Sequence, residues 1–288
     1  MKSLAHGEAS VNGVTLHWAE QGEGPLVVLL HGFPEFWYSW HHQLPALAAA
    51  GFRAVAPDLR GYGLSGKPRG VRAYRIETLV ADVAGLVRRL GGRAHIVGHD
   101  WGGVLAWYLP LFHPEVCASV TVLNAPHPVA FRRALKTSPD QRRRSRYVFF
   151  FQLPFLPELA MSRGNFALLE KMLRRDPVRP GTFTKEDIRL YKEALARPGV
   201  LTSAINYYRA ALRHPARMRG RRWPEGLPAL LVWGEKDRYL GPALAEGLEE
   251  WVPGIRVARL PEASHWVQND APDEVNRLLV GFLSTFSS

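Results

Sequence analysis

The sequence lacks several features that mark whole classes of protein. It has a single cysteine, Cys117, so an intrachain disulfide and a disulfide-stapled secreted fold are excluded, and a reducing compartment fits. No apolar run approaches the roughly 18 residues that a transmembrane helix needs. The opening segment, MKSLAHGEAS, has no apolar core of a signal peptide. These absences predict a soluble, cytoplasmic protein with no membrane partner.

The composition is globular, with an excess of positive charge. Hydrophobic residues make up 47% and charged residues 22% of the 288, which excludes a disordered or fibrous chain. The 37 Lys and Arg exceed the 26 Asp and Glu, which gives a formal charge of +11. Arginines cluster within 132–146 and 217–222, so a non-catalytic basic scaffold that binds nucleic acid is one alternative. No nucleic-acid-binding motif accompanies the charge, and we predict a solvated basic face with no nucleic-acid partner.

Apolar runs alternate with helical patterns along most of the chain. An early strand, VTLHWAE, alternates with period two and is expected to be antiparallel. Buried strands are predicted at 26–30, 53–58, 94–99, 119–124, 228–234 and 255–260. Helices are predicted at about 40–50, 74–91, 101–112, 241–251 and 272–286. This order predicts an α/β fold with a mostly parallel central sheet and helices on both faces.

Residues 127–223 depart from this alternation, and we call them the inserted segment. They are rich in Arg, Phe, Tyr and Leu at helical spacing and contain no convincing buried strand. We predict that they form a helical cap, placed above the carboxyl ends of the strands, where ligands bind in open α/β sheets. Residues 1–126 and 224–288 are then the core.

The most informative motif is the strand-to-helix turn around Asp100. Gly98-His99-Asp100-Trp101-Gly102 has the spacing of a nucleophile elbow, in which glycines allow strand and helix to approach closely. A carboxylate is ionised at neutral pH and can attack a saturated carbon directly. The alternative is that Asp100 only caps the following helix. No GxSxG occurs, which disfavours a serine esterase or lipase.

An aspartate nucleophile forms an ester that water must then hydrolyse, which requires a base. Among the 11 histidines, His265 follows the last predicted strand, and Asp237 follows the strand before it. The order Asp100, Asp237, His265 is that of nucleophile, acid and histidine in this type of fold. We predict that His265 activates water and that Asp237 orients its imidazole.

Hydrolysis of the ester also builds negative charge on the Asp100 carbonyl oxygen. Two backbone N–H groups can stabilise such an oxyanion. We predict that these are the N–H of Trp101, directly after the nucleophile, and that of Phe33 in the loop His31-Gly32-Phe33-Pro34-Glu35.

Taken together, these residues resemble the epoxide hydrolase branch of the α/β-hydrolase superfamily. The motifs that match are HGFPE (31–35), DLRGYGLSGKP (58–68), GHDWGG (98–103), GEKD (234–237) and SHWVQ (264–268). They are distributed over both parts of the predicted core. The resemblance implies an α/β-hydrolase fold and hydrolysis of a small-molecule epoxide to a vicinal diol through a covalent aspartyl ester. The sequence has no HExxH and no Cys and His pairs at ligand spacing, and the chemistry needs only water, so we predict no cofactor and no metal.

The inserted segment carries the motifs that distinguish this branch. Its members place two tyrosines over the nucleophile to protonate the epoxide oxygen, in the patterns Y-x-x-x-F-Q-x-P and N-aromatic-Y-R. The first pattern matches at Tyr147, and the second selects Tyr208, with Tyr207 as the fallback. One departure is Phe155, which stands where the family pattern often has Gly.

Several alternatives and secondary predictions stay open at this point. A haloalkane or haloacid dehalogenase uses the same Asp and His machinery, and the Trp101 indole could bind halide, but such enzymes lack the paired tyrosines. Phe33, Trp37, Trp101 and Phe151 are predicted to bind an apolar or aromatic substrate. A homodimer is a further arrangement that the sequence leaves open.

Overall fold

The computed structural model describes residues 3–286, whose strands form one eight-stranded sheet. Each strand predicted from an apolar run is present within two residues of its expected limits. The strands are β1 (Ala5–Val11), β2 (Val14–Gln21), β3 (Leu26–Leu30), β4 (Arg53–Pro57), β5 (Ala94–His99), β6 (Cys117–Leu123), β7 (Ala229–Gly234) and β8 (Arg256–Leu260). Strand β1 was not predicted, because AHGEASV has little apolar content.

The strand order is β1-β2-β4-β3-β5-β6-β7-β8. Strand β2 pairs antiparallel with both β1 and β4, and all later pairs are parallel. Strand β5 lies between β3 and β6, with every residue buried. The residue that follows β5 therefore projects from the middle of the sheet, at the carboxyl edge where ligands bind in α/β folds.

Helices cover the sheet and fill the chain between β6 and β7. Their bounds are α1 (Gln43–Ala49), α2 (Ile76–Leu90), α3 (Trp101–Phe112), α4 (Pro128–Thr137), α5 (Pro139–Arg144), α6 (Arg146–Phe150), α7 (Leu156–Arg175), α8 (Lys185–Ala196), α9 (Val200–Arg213), α10 (Val267–Asp270) and α11 (Pro272–Ser284). Helix α7 is interrupted by non-helical backbone at residues 163–166.

One helix prediction is wrong. Residues 241–251 form two short 3-10 helices, Pro242–Ala245 and Leu248–Glu250, in place of one α-helix. Gly247 separates them with a left-handed φ of 62°, a conformation that glycine adopts without steric cost and that cannot continue a right-handed helix.

All regular secondary structure in the inserted segment is helical. Helices α4 to α9 all lie within residues 127–223, and these residues contain no strand. The segment joins β6 to β7, which are parallel neighbours in the sheet. The exact division into core and cap at residues 126 and 223 stays a prediction.

Candidate active site

Asp100 stands at the tip of a sharp turn between β5 and α3. Its backbone has φ 48° and ψ −117°, a sparsely populated conformation for a residue other than glycine. The turn requires glycine on both sides, since a Cβ on Gly98 would lie 2.2 Å from the Gly102 carbonyl oxygen, and one on Gly102 would lie 2.0 Å from that of Leu30. The Asp100 side chain makes no capping hydrogen bond. The alternative of a simple helix cap is therefore wrong.

Three side chains from separate loops converge at this turn. His265 Nδ1–H donates to Asp237 Oδ2 at 2.7 Å, and His265 Nε2 lies 3.6 Å from Asp100 Oδ2. The ring is thus held in one orientation, with Nδ1 toward Asp237 and Nε2 toward Asp100. Asp237, His265 and Asp100, which are far apart in the sequence, are thus neighbours in the folded structure.

Asp237 is completely buried and fully hydrogen-bonded. Its Oδ2 also accepts from the side-chain amide of Asn124, at 2.9 Å. Its Oδ1 accepts from the backbone N–H groups of Tyr239 and Leu240, at 2.7 and 3.0 Å. Four donors including His265 therefore hold the Asp237 carboxylate in place, with Oδ2 toward the imidazole.

The charges of the three groups are strongly coupled. Burial alone would lower the pKa of His265, but the negative charge of Asp237 and the neighbouring Asp100 raise this pKa well above 6.5. Burial disfavours the charge of Asp100, yet its interaction with His265 holds the pKa of Asp100 below the usual range. The resting site therefore holds an ionised Asp100 facing a protonated His265.

A backbone donor also contacts the Asp100 carboxylate. The N–H of Phe33 donates to Asp100 Oδ1 at 2.8 Å. The peptide bond that joins Phe33 to Pro34 is cis. Trp101 is the first residue of α3, and the first N–H groups of a helix have no partner within it. The Phe33 N–H thus contacts the carboxylate, and the role of the Trp101 N–H stays a prediction.

A cavity of about 260 Å³ opens above Asp100. Its lining is almost entirely apolar apart from the ionisable side chains. The lining residues are Phe33, Asp100, Tyr147, Phe150, Phe151, Met161, Leu168, Met172, Tyr208, Tyr239, His265 and Trp266. The inserted segment supplies seven of these twelve, so the cavity lies between that segment and the carboxyl edge of the sheet.

Two tyrosines of the inserted segment face this cavity. Tyr147 on α6 and Tyr208 on α9 meet edge to face, with ring centroids 5.7 Å apart. Burial raises the pKa of both phenols, and the negative charge of Asp100 raises both further. Both hydroxyls are therefore protonated at neutral pH and available as donors. The fallback, Tyr207, points elsewhere and donates to the backbone carbonyl of Arg60 at 2.8 Å.

Comparison with known proteins extends over nearly the whole chain. The family described as alpha/beta hydrolase fold matches residues 25–272. AB hydrolase superfamily protein YfhM of Bacillus subtilis is 41% identical and covers 95% of this chain and 96% of its own length. Epoxide hydrolase 3 of Xenopus tropicalis is 37% identical, over 98% of this chain and 80% of that protein.

A solved structure gives the same result in three dimensions. The crystal structure of Bacillus megaterium epoxide hydrolase in complex with an inhibitor superposes with a TM-score of 0.87. It is 36% identical in sequence and covers 96% of this chain and all of that one. The chain belongs to the epoxide hydrolase branch of the α/β-hydrolase family. The predicted fold class is therefore confirmed, and the chain is an enzyme of this branch.

Two residues of the matching motifs, Glu35 and His99, make buried contacts that the sequence did not predict. Glu35, the last residue of HGFPE, accepts from the N–H of Gly32 at 2.7 Å, and its Oε2 lies 2.9 Å from His99 Nδ1. His99 Nε2–H in turn donates to the backbone carbonyl of His265 at 2.8 Å. Buried contacts thus join the loop that carries Phe33 to the loop that carries His265. The only sequence signal for these roles was that Glu35 lies within the motif HGFPE and His99 within GHDWGG.

The predicted substrate-binding residues fall into two groups. Phe33 and Phe151 line the cavity. Trp101 is not among the lining residues, so its predicted substrate contact needs correction; its indole packs edge-on against Tyr208, with ring centroids 5.0 Å apart. Trp37 is not among the lining residues, and that prediction needs correction. Its ring packs against His6, Phe36 and Tyr38, because the turn after HGFPE directs it away from Asp100. The cavity walls from Met161, Met172 and Tyr239 were not predicted.

Proposed function

We propose that this enzyme opens an epoxide with water and releases a vicinal diol, through an ester formed on Asp100. The observation that carries the proposal is a cavity lined by the Asp100 carboxylate and by two protonated phenols. An epoxide needs both: a nucleophile for a ring carbon and an acid for the ring oxygen. The inserted segment would act as the cap that supplies the acid.

In the first half-reaction, a carboxylate oxygen of Asp100 attacks one ring carbon and the carbon–oxygen bond of the epoxide breaks. The electron pair of that bond goes to the ring oxygen, which would be a poor leaving group as an alkoxide. Tyr147 and Tyr208 hold this oxygen, and one of them transfers its proton. The products are a hydroxyalkyl ester of Asp100 and a tyrosinate.

At the start of the second half-reaction, the imidazolium of His265 returns a proton to the tyrosinate. The neutral imidazole then takes a proton from water, and the hydroxide attacks the carbonyl carbon of Asp100. The N–H groups of Phe33 and Trp101 stabilise the oxyanion, an effect worth about 2.7–4 kcal/mol per donor. The bond between the carbonyl carbon of Asp100 and the oxygen of the alkyl group then breaks. The carboxyl group of Asp100 gives its proton to the departing alkoxide, which completes the diol and leaves Asp100 ionised beside a protonated His265, as at the start.

The electrostatics of the site support this order of steps. The charge of Asp100 is one of the causes of the raised pKa of His265. Ester formation removes that charge, so the pKa of His265 falls and the imidazole can act as a base. The hydrogen bond from Nδ1–H to Asp237 keeps that proton on Nδ1, which leaves Nε2 directed toward the water.

Trapping the intermediate tests the proposal. His265→Gln should accumulate the ester, seen as a mass increase equal to that of the epoxide, and fragmentation should place it on Asp100. Wild-type single turnover in ¹⁸O-labelled water should put the label into Asp100. Label found only in the diol would mean direct attack by water and would refute the covalent route.

A panel of aryl and alkyl epoxides against haloalkanes separates this function from dehalogenation. Diol formation from epoxides is expected, and halide release without diol formation would favour the alternative. The cytoplasmic location rests on sequence alone, supported by the single buried thiol of Cys117. A homodimer likewise stays a prediction.

A further inference from the structure

Exposed apolar side chains are concentrated in one stretch of the chain. Of the eleven large hydrophobic side chains that are exposed in residues 3–286, seven lie between residues 149 and 168. We call these seven the apolar rim: Phe149, Phe150, Leu153, Phe155, Leu156, Leu159 and Leu168. Phe150 and Leu168 also line the cavity, so the rim adjoins the cavity. Large exposed apolar patches mark interaction sites in soluble proteins.

Phe155 shows that the rim is not a by-product of internal packing. Its φ is 60°, in the left-handed region that favours glycine, and 82% of the residue is exposed. A phenylalanine there strains the backbone and gains almost no burial within the chain. Packing within the chain therefore does not account for a phenylalanine at this position.

The charge of the chain is concentrated on the same segment. Residues 127–223 carry 22 Lys and Arg against seven Asp and Glu, a formal charge of +15, whereas the rest of the chain is −4. Arg146 and Arg163 lie beside or within the rim; both are exposed, and neither forms a salt bridge with an acid among residues 3–286. The partner of the rim must therefore be both apolar and anionic.

A second copy of the chain fits these requirements poorly, because docking rim to rim would bring two segments of +15 together. Nucleic acid supplies the negative charge but offers no apolar phase for leucines. A bilayer with anionic headgroups supplies both. We propose that the apolar rim and its flanking arginines bind the surface of an anionic lipid bilayer, with Phe155 and Leu159 inserted at the boundary between headgroups and acyl chains.

The contact is interfacial. No helix in the described part of the chain is both long and apolar enough to cross a bilayer. The proposal revises the sequence-based expectation of no membrane partner. If the proposed function also holds, the cavity lies beside the membrane surface, and the substrate class extends to apolar epoxides that partition into lipid.

Co-sedimentation with vesicles tests the proposal without any use of catalysis. We expect the wild type to bind vesicles of phosphatidylcholine with phosphatidylglycerol, to bind phosphatidylcholine alone much more weakly, and to dissociate at high salt. Phe155→Gly with Leu159→Ser should weaken partitioning at least about tenfold. Arg146→Gln with Arg163→Gln should weaken it on the anionic vesicles only.

Two controls distinguish lost binding from lost folding. The melting temperature of Phe155→Gly should equal or exceed that of the wild type, because the glycine relieves backbone strain. Val257→Ser removes an exposed apolar side chain on β8, outside the inserted segment, and should bind vesicles like the wild type. Equal binding by the rim variant and the wild type overturns the proposal, as does equal binding to neutral and anionic vesicles. A wild-type dimer that the rim variant abolishes, without vesicle binding, would instead identify a second copy as the partner.

Discussion

The side-chain amide of Gln152 donates a hydrogen bond to the backbone carbonyl of Tyr208, at 3.1 Å. It joins the turn after α6, the helix of Tyr147, to α9, the helix of Tyr208. Arg209 strengthens the connection by donating to the backbone carbonyls of Phe151 and Leu153, at 3.0 and 2.6 Å. The relative position of the two phenols therefore depends on side chains that do not themselves line the cavity.

Gln152→Leu should impair catalysis more than stability. Loss of one partly buried hydrogen bond should cost about 1 kcal/mol of unfolding free energy. Displacement of the tyrosine pair should slow ester formation by about tenfold or more, since rate depends steeply on the placement of the acid. Urea unfolding and stopped-flow single turnovers measure the two effects. Arg277→Gln, which breaks an exposed ion pair with Glu274, is the control and should change neither; an unchanged single-turnover rate in Gln152→Leu would contradict the positioning role.

Removal of either cavity phenol should slow the first half-reaction. Tyr147→Phe and Tyr208→Phe each leave one donor for the ring oxygen, whereas the double variant leaves none. General acids contribute about 10²- to 10⁴-fold, so the double variant should lose at least about 10²-fold in the rate of ester formation. Quench-flow with mass detection of the ester gives this rate directly.

Tyr207→Phe is the matched control for that experiment. Its hydroxyl bonds to the backbone of Arg60, so its loss should cost about 1 kcal/mol of stability and leave ester formation unchanged. A slow first half-reaction in Tyr207→Phe, together with normal turnover in Tyr208→Phe, would exchange the roles of the two residues.

The pKa of His265 predicts a dependence of stability on pH. Its folded pKa lies well above 6.5, so the folded state binds its proton more tightly than the unfolded state does. The resulting stabilisation is complete below about pH 6.5 and is lost as the pH rises through the folded pKa. The unfolding free energy of the wild type relative to His265→Gln should therefore fall as the pH is raised above about 6.5. Urea titrations at stepped pH measure it, and a difference that stays constant would contradict the proposed ion pair with Asp100.

The turn at Asp100 should tolerate no added methyl group at Gly102. A Cβ there would lie 2.0 Å from the Leu30 carbonyl oxygen, so backbone must move, and Gly102→Ala should cost more than about 3 kcal/mol and displace Asp100. Gly281→Ala is the contrasting variant, because no atom lies within 4 Å of its added Cβ in helix α11. It should stabilise the protein by about 0.5–1 kcal/mol. Thermal unfolding of the pair decides, and equal melting temperatures would be contrary to expectation.

The sheet could be predicted because its parallel strands are uninterrupted apolar runs, such as Leu26–Leu30, that end at loops rich in glycine. Strand β1 could not, since a hairpin partner at the edge of the sheet needs few apolar residues. The segment 241–251 has the composition of a helix, yet one backbone angle at Gly247 divides it. Composition reports burial and propensity, but not that angle.

The polar residues of the candidate site were found because each follows a strand, and strand ends meet at one edge of the sheet. Trp37 follows a strand by several residues, so its direction depends on the path of the turn. The walls formed by Met161 and Met172 depend on how α7 packs above the sheet, a long-range property that no local pattern encodes.

Helix α7, which is interrupted at residues 163–166, forms part of the cavity wall but carries none of the reacting groups. Met161 lies before the break, and Leu168 and Met172 lie after it, all on a helix remote in sequence from the loops of Asp100, Asp237 and His265. Mutations in α7 can therefore alter the size and shape of accepted molecules while the reacting groups keep their alignment. Single substitutions in α7 can therefore change the selectivity for the bound molecule, and a library of variants confined to α7 is the most direct way to find such changes.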